Sequence, residues 1–243
     1  MSALGLGARQ ASLVWLEPHR VLAGGQTRTI SGPITEDLLV MAMGGLPAGP
    51  TAWVVDDAWV PSLLLRDIVE VPAGSESREA FFKWRFAQSL GLEAGQSVQA
   101  LSLGENAWLL AGIPEAIREG WIQASLTLGR PLRSLQPRWL WLYNRLAGSR
   151  EVPGMLLSLC QAGDGGYTGT LAAWGRNLAL LRQWTEPASP EAWIQDRVLP
   201  SAAYLQRESR SPQELLVWGA SAWPDCPIAV RIIPPEIPAL ETL

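Results

Sequence analysis

The two halves of the chain open in the same way, and this repetition restricts the available folds more than any other feature. Near the start, Leu4-Gly5-Leu6-Gly7-Ala8 leads into Ser12-Leu13-Val14-Trp15-Leu16. Later, Leu156-Leu157-Ser158-Leu159-Cys160 leads into Gly169-Thr170-Leu171-Ala172-Ala173. Each time a strand, a glycine-containing loop and a second strand are followed by a short turn, a third strand and then helices. A doubled β-meander that feeds helices predicts an α/β fold with two related halves facing a cleft. The polar stretch Gly148 to Pro153 is the expected hinge. It divides the chain into residues 1–150, a first half with an inserted subdomain, and residues 151–243, the second half.

Between the repeats, Glu36 and Asp37 follow Thr35 at the expected start of a helix that Gly44-Gly45 stops. The run TAWVVD, Thr51 to Asp56, reads as a buried parallel strand. Leu65 to Val71 reads as a further strand. Ser77 to Leu90 predicts a helix with Phe82, Phe86 and Leu90 on one face. Strands are expected at Ser97 to Leu103, Ala107 to Ile113 and Pro131 to Leu135, with helices over Pro114 to Leu126 and Pro137 to Leu146. In the second half a helix starts at Ser189-Pro190-Glu191, breaks at Pro200 and resumes to Glu208. Strands at Glu214 to Trp218 and Ile228 to Ile233 complete the set.

Composition removes several function classes. The only lysine, Lys83, lies in Phe-Lys-Trp, so no P-loop exists, and the kinase lysine with its His-Arg-Asp loop is missing too. His19 is the only histidine and no Gly-x-Ser-x-Gly elbow occurs, which argues against triad chemistry and leaves zinc few ligands. The net charge of -4 without a basic run argues against nucleic acid. No apolar stretch approaches the ~18 residues of a membrane span, and the start lacks a signal-peptide layout. The chain therefore reads as cytoplasmic. Counting permits a disulfide between Cys160 and Cys226, but two buried thiols suit a cytoplasmic chain better. The 13 tryptophans read chiefly as core residues, with a few left to mark a partner surface.

Three polar groups carry both a sharp and a plain reading. Asp164-Gly165-Gly166 suits a phosphate loop or an ordinary hairpin turn. Asp56-Asp57 is either a carboxylate pair at a strand end or a solvated loop before Trp59. Arg78 to Arg85, REAFFKWR, is either a basic-aromatic partner surface or an amphipathic helix with exposed cations.

The order of these segments resembles the actin-like (ribonuclease H-like) fold, and within it the PilM/GspL type of type IV pili and type II secretion. Leu4 to Gly24 is similar to the opening of that family. VEVPAGSESREAFFKWRFAQSL, Val69 to Leu90, resembles its strand, proline and amphipathic helix. WLLAGIPEAIREGWIQASLTLGRPLRSLQPRW, Trp108 to Trp139, resembles its strand, proline, helix and strand. The resemblance implies a nucleotide cradle made of two hairpin loops with an acidic residue in each, plus a Gly-Gly turn at adenosine. The matching positions here are Gly7 in Gly7-Ala8-Arg9-Gln10, then Asp164, Gly165, Gly166 and Thr168, and last Gly219 in Val217 to Ser221. The first loop lacks a carboxylate, Leu159 or Cys160 stands where the second acid ends its strand, and the adenosine turn keeps one glycine beside Trp218. Magnesium needs hard oxygen ligands. The expectation is accordingly a degenerate ATPase fold without catalytic or metal residues, with no cofactor. ATP with magnesium remains the alternative, as an active or nucleotide-switched assembly protein.

The function implied by the resemblance is a scaffold peripheral to the inner membrane. It would dock the cytoplasmic segment of a PilN-like or GspM-like membrane protein, with an assembly ATPase as further partner and a homodimer as an added form. The chain ends at Leu243 without a span, which suits the stand-alone PilM arrangement.

Overall fold

The computed structural model describes residues 12–18, 20–23, 26–29, 35–45, 48–92, 95–104, 106–147, 152–161 and 166–234. In chain order the elements are β1 (Ser12–Glu17), β2 (Arg20–Ala23), β3 (Gln26–Thr29), α1 (Glu36–Met43), β4 (Thr51–Val55) and β5 (Ser62–Leu65). Then come α2 (Ser75–Leu90), β6 (Gln96–Gly104), β7 (Ala107–Pro114), α3 (Glu115–Thr127), β8 (Leu132–Pro137) and α4 (Arg138–Leu146). The last are β9 (Gly154–Gln161), β10 (Tyr167–Trp174), β11 (Leu178–Ala188), α5 (Pro190–Ala192), α6 (Leu199–Arg207), β12 (Glu214–Trp218) and β13 (Ala229–Ile233). The chain divides into two compact units, one of residues 1–55 and 116–136 and one of residues 56–115 and 137–243.

The first unit is built on a five-stranded sheet in the order β3-β2-β1-β4-β8. β1 runs antiparallel to β2 and parallel to β4. β4 is the expected buried strand: Trp53, Val54 and Val55 are fully covered, because a central parallel strand hides both faces. α3 contributes Trp121, whose ring lies 6.0 Å from that of Trp53. Two buried polar groups here find partners within the unit. Trp53 Nε1 donates to Thr51 Oγ1 at 2.9 Å, and the backbone N–H of Leu132 donates to Ser125 Oγ at 2.9 Å.

The second unit holds a five-stranded sheet in the order β11-β10-β9-β12-β13. β9 is antiparallel to β10 and parallel to β12, and β12 is parallel to β13. The order third-second-first-fourth-fifth thus recurs in both sheets, and the duplication is a property of the fold. Its register differs from the expectation, however. β1 takes the place of β9, whereas the sequence match set Ser12 to Leu16 against the start of β10. The first strand of that match, at Leu4-Gly5-Leu6, and the loop after it lie outside the described residues. Short apolar strands look alike in any register, and β3, QTRT, is too polar and exposed to announce itself.

The same unit carries a three-stranded antiparallel sheet, β5-β7-β6, with α2 on one face. Phe82 and Phe86 of α2 pack on Leu110, while Leu90 lies at the rim of this cluster. Gly112 makes room for them, since a Cβ there would meet Phe86 Cε1 at 2.4 Å.

Two further expectations need correction. Residues 66–71 are not a strand: β5 ends at Leu65, and Asp67 adopts a φ of +57° that breaks the extended path. Nor does Pro200 break its helix. A π-helical stretch, Trp193–Val198, joins α5 to α6, and the N–H of Leu199 bonds back to the Ile194 carbonyl. Pro200 then sits in the first turn of α6, where a missing N–H is tolerated. The tryptophans do fill cores. Eight of the 13 are buried, and only Trp84, at 55% exposure, stands mainly in solvent. No described helix is long and apolar enough to cross a membrane.

Candidate functional site

The polar centre of the second unit begins where the apolar run of β4 ends. Asp56 and Asp57 follow, and a 3-10 turn, Asp57–Trp59, leads the chain away. Asp56 starts that turn, its Oδ1 accepting from the Ala58 N–H at 3.0 Å. Both carboxylates are buried, at 2% and 4% exposure. The solvated-loop reading of this pair is therefore wrong, because the turn folds inward onto α4 and β9.

Arg138, at 1% exposure, is the hub of the centre. Its Nη1 donates to Asp56 Oδ2 at 3.0 Å, its Nε to Ser158 Oγ at 3.0 Å and its Nη2 to the Leu159 carbonyl at 3.1 Å. The guanidinium also lies 4.9 Å from the centre of the Trp218 ring. The planar fork reaches an acid, a hydroxyl and a carbonyl from three separate nitrogens, where a lysine would have one.

Asp57 serves a different group. Its Oδ1 accepts the backbone N–H of Trp139 at 2.8 Å. α4 starts at Pro137, which has no side-chain group to cap it, so an acid from a distant segment supplies the cap and meets the positive end of the helix dipole. Burial raises the Asp57 carboxyl to about 6. The neighbouring Arg138 guanidinium opposes this rise and the Asp56 charge adds to it. Asp57 Oδ2 makes no hydrogen bond of ordinary geometry, although the Ser158 hydroxyl lowers the pKa somewhat.

Gln183 of β11 ties the remaining strands in. Its Oε1 accepts from the Ser62 N–H at 2.7 Å, and its Nε2 donates to Thr170 Oγ1 at 3.1 Å. Beside these groups lies a pocket of about 50 Å³, bordered by Asp57, Cys160, Thr168, Thr170 and Gln183 among others. It is large enough for little more than ordered water.

Of the expected cradle residues, Gly7, Asp164 and Gly165 lie outside the described residues. Gly166 directly precedes β10, and Thr168 stands opposite Cys160 on the β9–β10 ladder and borders the pocket. Gly219 follows β12 with a φ of +95°, and a Cβ there would lie 2.2 Å from the Leu159 carbonyl oxygen. The structure thus brings Thr168 and Gly219 to the end of β9, and it gives Gly219 a packing reason for lacking a side chain.

β1 and β2 meet between Glu17 and Arg20, whose side chains form an ion pair. Among the described residues no group of three or more His, Cys, Asp or Glu side chains could hold a metal. Sequence reasoning missed Arg138, Ser158 and Gln183. The one available signal was an arginine opening an otherwise apolar helix, RWLWLYNRL.

No family model matches the chain, and no curated protein does so either. Solved structures do. The cytoplasmic domain of EpsL, an inner-membrane component of the type II secretion system of Vibrio cholerae, matches at 13% identity and a TM-score of 0.53, over 95% of this chain and 92% of that one. The PilM–PilN type IV pilus biogenesis complex matches at 12% identity and a TM-score of 0.57, over 86% and 81%. At such identities the likeness concerns architecture alone: the chain has the actin-like α/β fold shared by these two proteins.

Proposed function

We propose that the chain is a cytoplasmic scaffold of an assembly platform of the type II secretion or type IV pilus kind. It docks the cytoplasmic segment of an inner-membrane partner and works without turning over nucleotide. The observation that carries this reading is likeness over nearly the whole chain to two components of such machines. The PilM–PilN complex supports a PilN-like partner; a GspM-like protein would be its counterpart in secretion and an assembly ATPase a further contact.

The second part of the reading rests on the hairpins. At the β1–β2 turn Pro18 has no N–H to offer a phosphate, and the Glu17 carboxylate is engaged by Arg20. The end of β9 carries Leu159, Cys160 and Gln161, none of them an acid. Among the described residues of the two hairpins, magnesium would meet only the Glu17 carboxylate, already engaged by Arg20.

Affinity capture from detergent-solubilised membranes tests docking, and a thermal-shift titration with MgATP tests the nucleotide claim. The expected results are co-purification of an inner-membrane protein with a short cytoplasmic segment and an unchanged melting temperature with MgATP. Hydrolysis of ATP, or a large shift abolished by Asp164→Ala, would instead establish the nucleotide-switched alternative. Failure to capture any membrane component would remove the scaffold reading.

A further inference from the structure

Edge strands of soluble proteins are usually blunted by lysine, proline, bulges or covering segments, because an open row of N–H and C=O groups invites pairing. β6 has little of this protection. It is nine residues long, QSVQALSLG, without a charge or a proline. Its single irregularity, between Ser102 and Gly104, lies at its end. Among the described residues it is the outer strand of its three-stranded sheet, paired on one side with β7. Gln99 to Ser102 are all exposed. Leu101, near the middle, is 55% exposed. The opposite edge of the sheet is engaged, since the Ser62 N–H of β5 bonds to Gln183.

We propose that β6 is a homotypic pairing edge, where a second copy of the chain adds its own β6 antiparallel and joins the two three-stranded sheets into one of six strands. A two-fold axis through Leu101 sets this side chain against its own mate, the natural cover for a large apolar residue left in solvent. In the same register Ala100 faces Ser102 of the other copy and Gln99 faces Leu103. The strand carries no charge, so like meets like without repulsion. The register also keeps faces matched. Val98 belongs to the cluster under α2, and Leu103 packs in a different cluster with Leu109 and Trp139. A shift by one residue would bring the wrong faces together. One strand edge buries less than the roughly 1,600 Å² of a standard stable interface, so the association is concentration-dependent.

Sedimentation of the full chain over a wide concentration range reads the proposal directly. The expected result is a monomer–dimer equilibrium. Leu101→Lys sets two cations across the axis and should weaken dimerisation about tenfold or more. Its circular dichroism and melting temperature should stay unchanged, since the side chain is mainly in solvent. Leu101→Glu should do the same, and an equimolar mixture of the two variants should restore the dimer as a heterodimer. A chain that stays monomeric at every concentration overturns the proposal. So does a dimer indifferent to both charges, or a mixture that fails to recover.

Discussion

The carboxylate of Asp57 caps a helix 82 residues away, its Oδ1 accepting the Trp139 N–H at 2.8 Å. Burial holds the same group in a state that prefers its proton, which makes its charge a cost to the native chain near neutral pH.

The sign of the resulting pH dependence follows from linkage. The folded pKa, about 6, lies above the ordinary 3.8, so the native chain binds the proton more tightly than the unfolded one. Stability contributed by Asp57 is therefore present below about pH 4 and is lost as the pH rises toward 6. The gap between 3.8 and about 6 corresponds to roughly 3 kcal/mol. Asp57→Asn keeps an acceptor for Trp139 and removes the charge. Urea unfolding between pH 4 and 7.5 should show this variant gaining on the parent as pH rises, up to about that amount.

Arg138 neutralises Asp56 deep in the unit, with both side chains at or below 3% exposure. Arg138→Met should lower the unfolding free energy by about 3–5 kcal/mol, because it leaves a buried carboxylate without its partner. Arg138→Lys should recover only part of this. The double variant Arg138→Met with Asp56→Asn should be more stable than Arg138→Met alone, and denaturant midpoints for the parent, Arg138→Met, Asp56→Asn and the double variant measure the coupling.

Gly219 and Gly91 both have positive φ, at +95° and +62°, but only Gly219 faces an obstacle, the Leu159 carbonyl oxygen 2.2 Å from where a methyl group would sit. Gly91→Ala should cost about 1–2 kcal/mol, the strain of a left-handed residue. Gly219→Ala should cost more, roughly 3 kcal/mol or above, since β9 must also move. Melting temperatures of the two variants give the comparison.

Cys160 and Cys226 are thiols outside any disulfide, both half-buried and thus less covered than expected. A thiol reagent should titrate two groups per native chain. Reductant should leave both electrophoretic mobility and melting temperature unchanged.

Strand and helix positions were legible wherever burial is strong and periodic. β4, β7 and β9 show as apolar runs, and α2 shows through Phe82 and Phe86. The register of the repeat was not legible, because it hinges on β3, whose four residues QTRT carry no hydrophobic signal. The polar centre was hidden for a different reason. Asp56 and Asp57 look like a solvent turn until Arg138, from a segment 82 residues later, is folded against them. Sequence spacing cannot bring Ser158 and Gln183 to the same place, because tertiary contact alone defines that site.

The larger unit is assembled from two separate stretches, residues 56–115 and 137–243. During synthesis its earlier stretch leaves the ribosome well before the strands that cover it. β5 has no Gln183 to bond, and Asp56 has no Arg138, until the later stretch follows. This body cannot close until the second stretch has been made, and no contiguous segment of the chain contains it without the intervening residues 116–136.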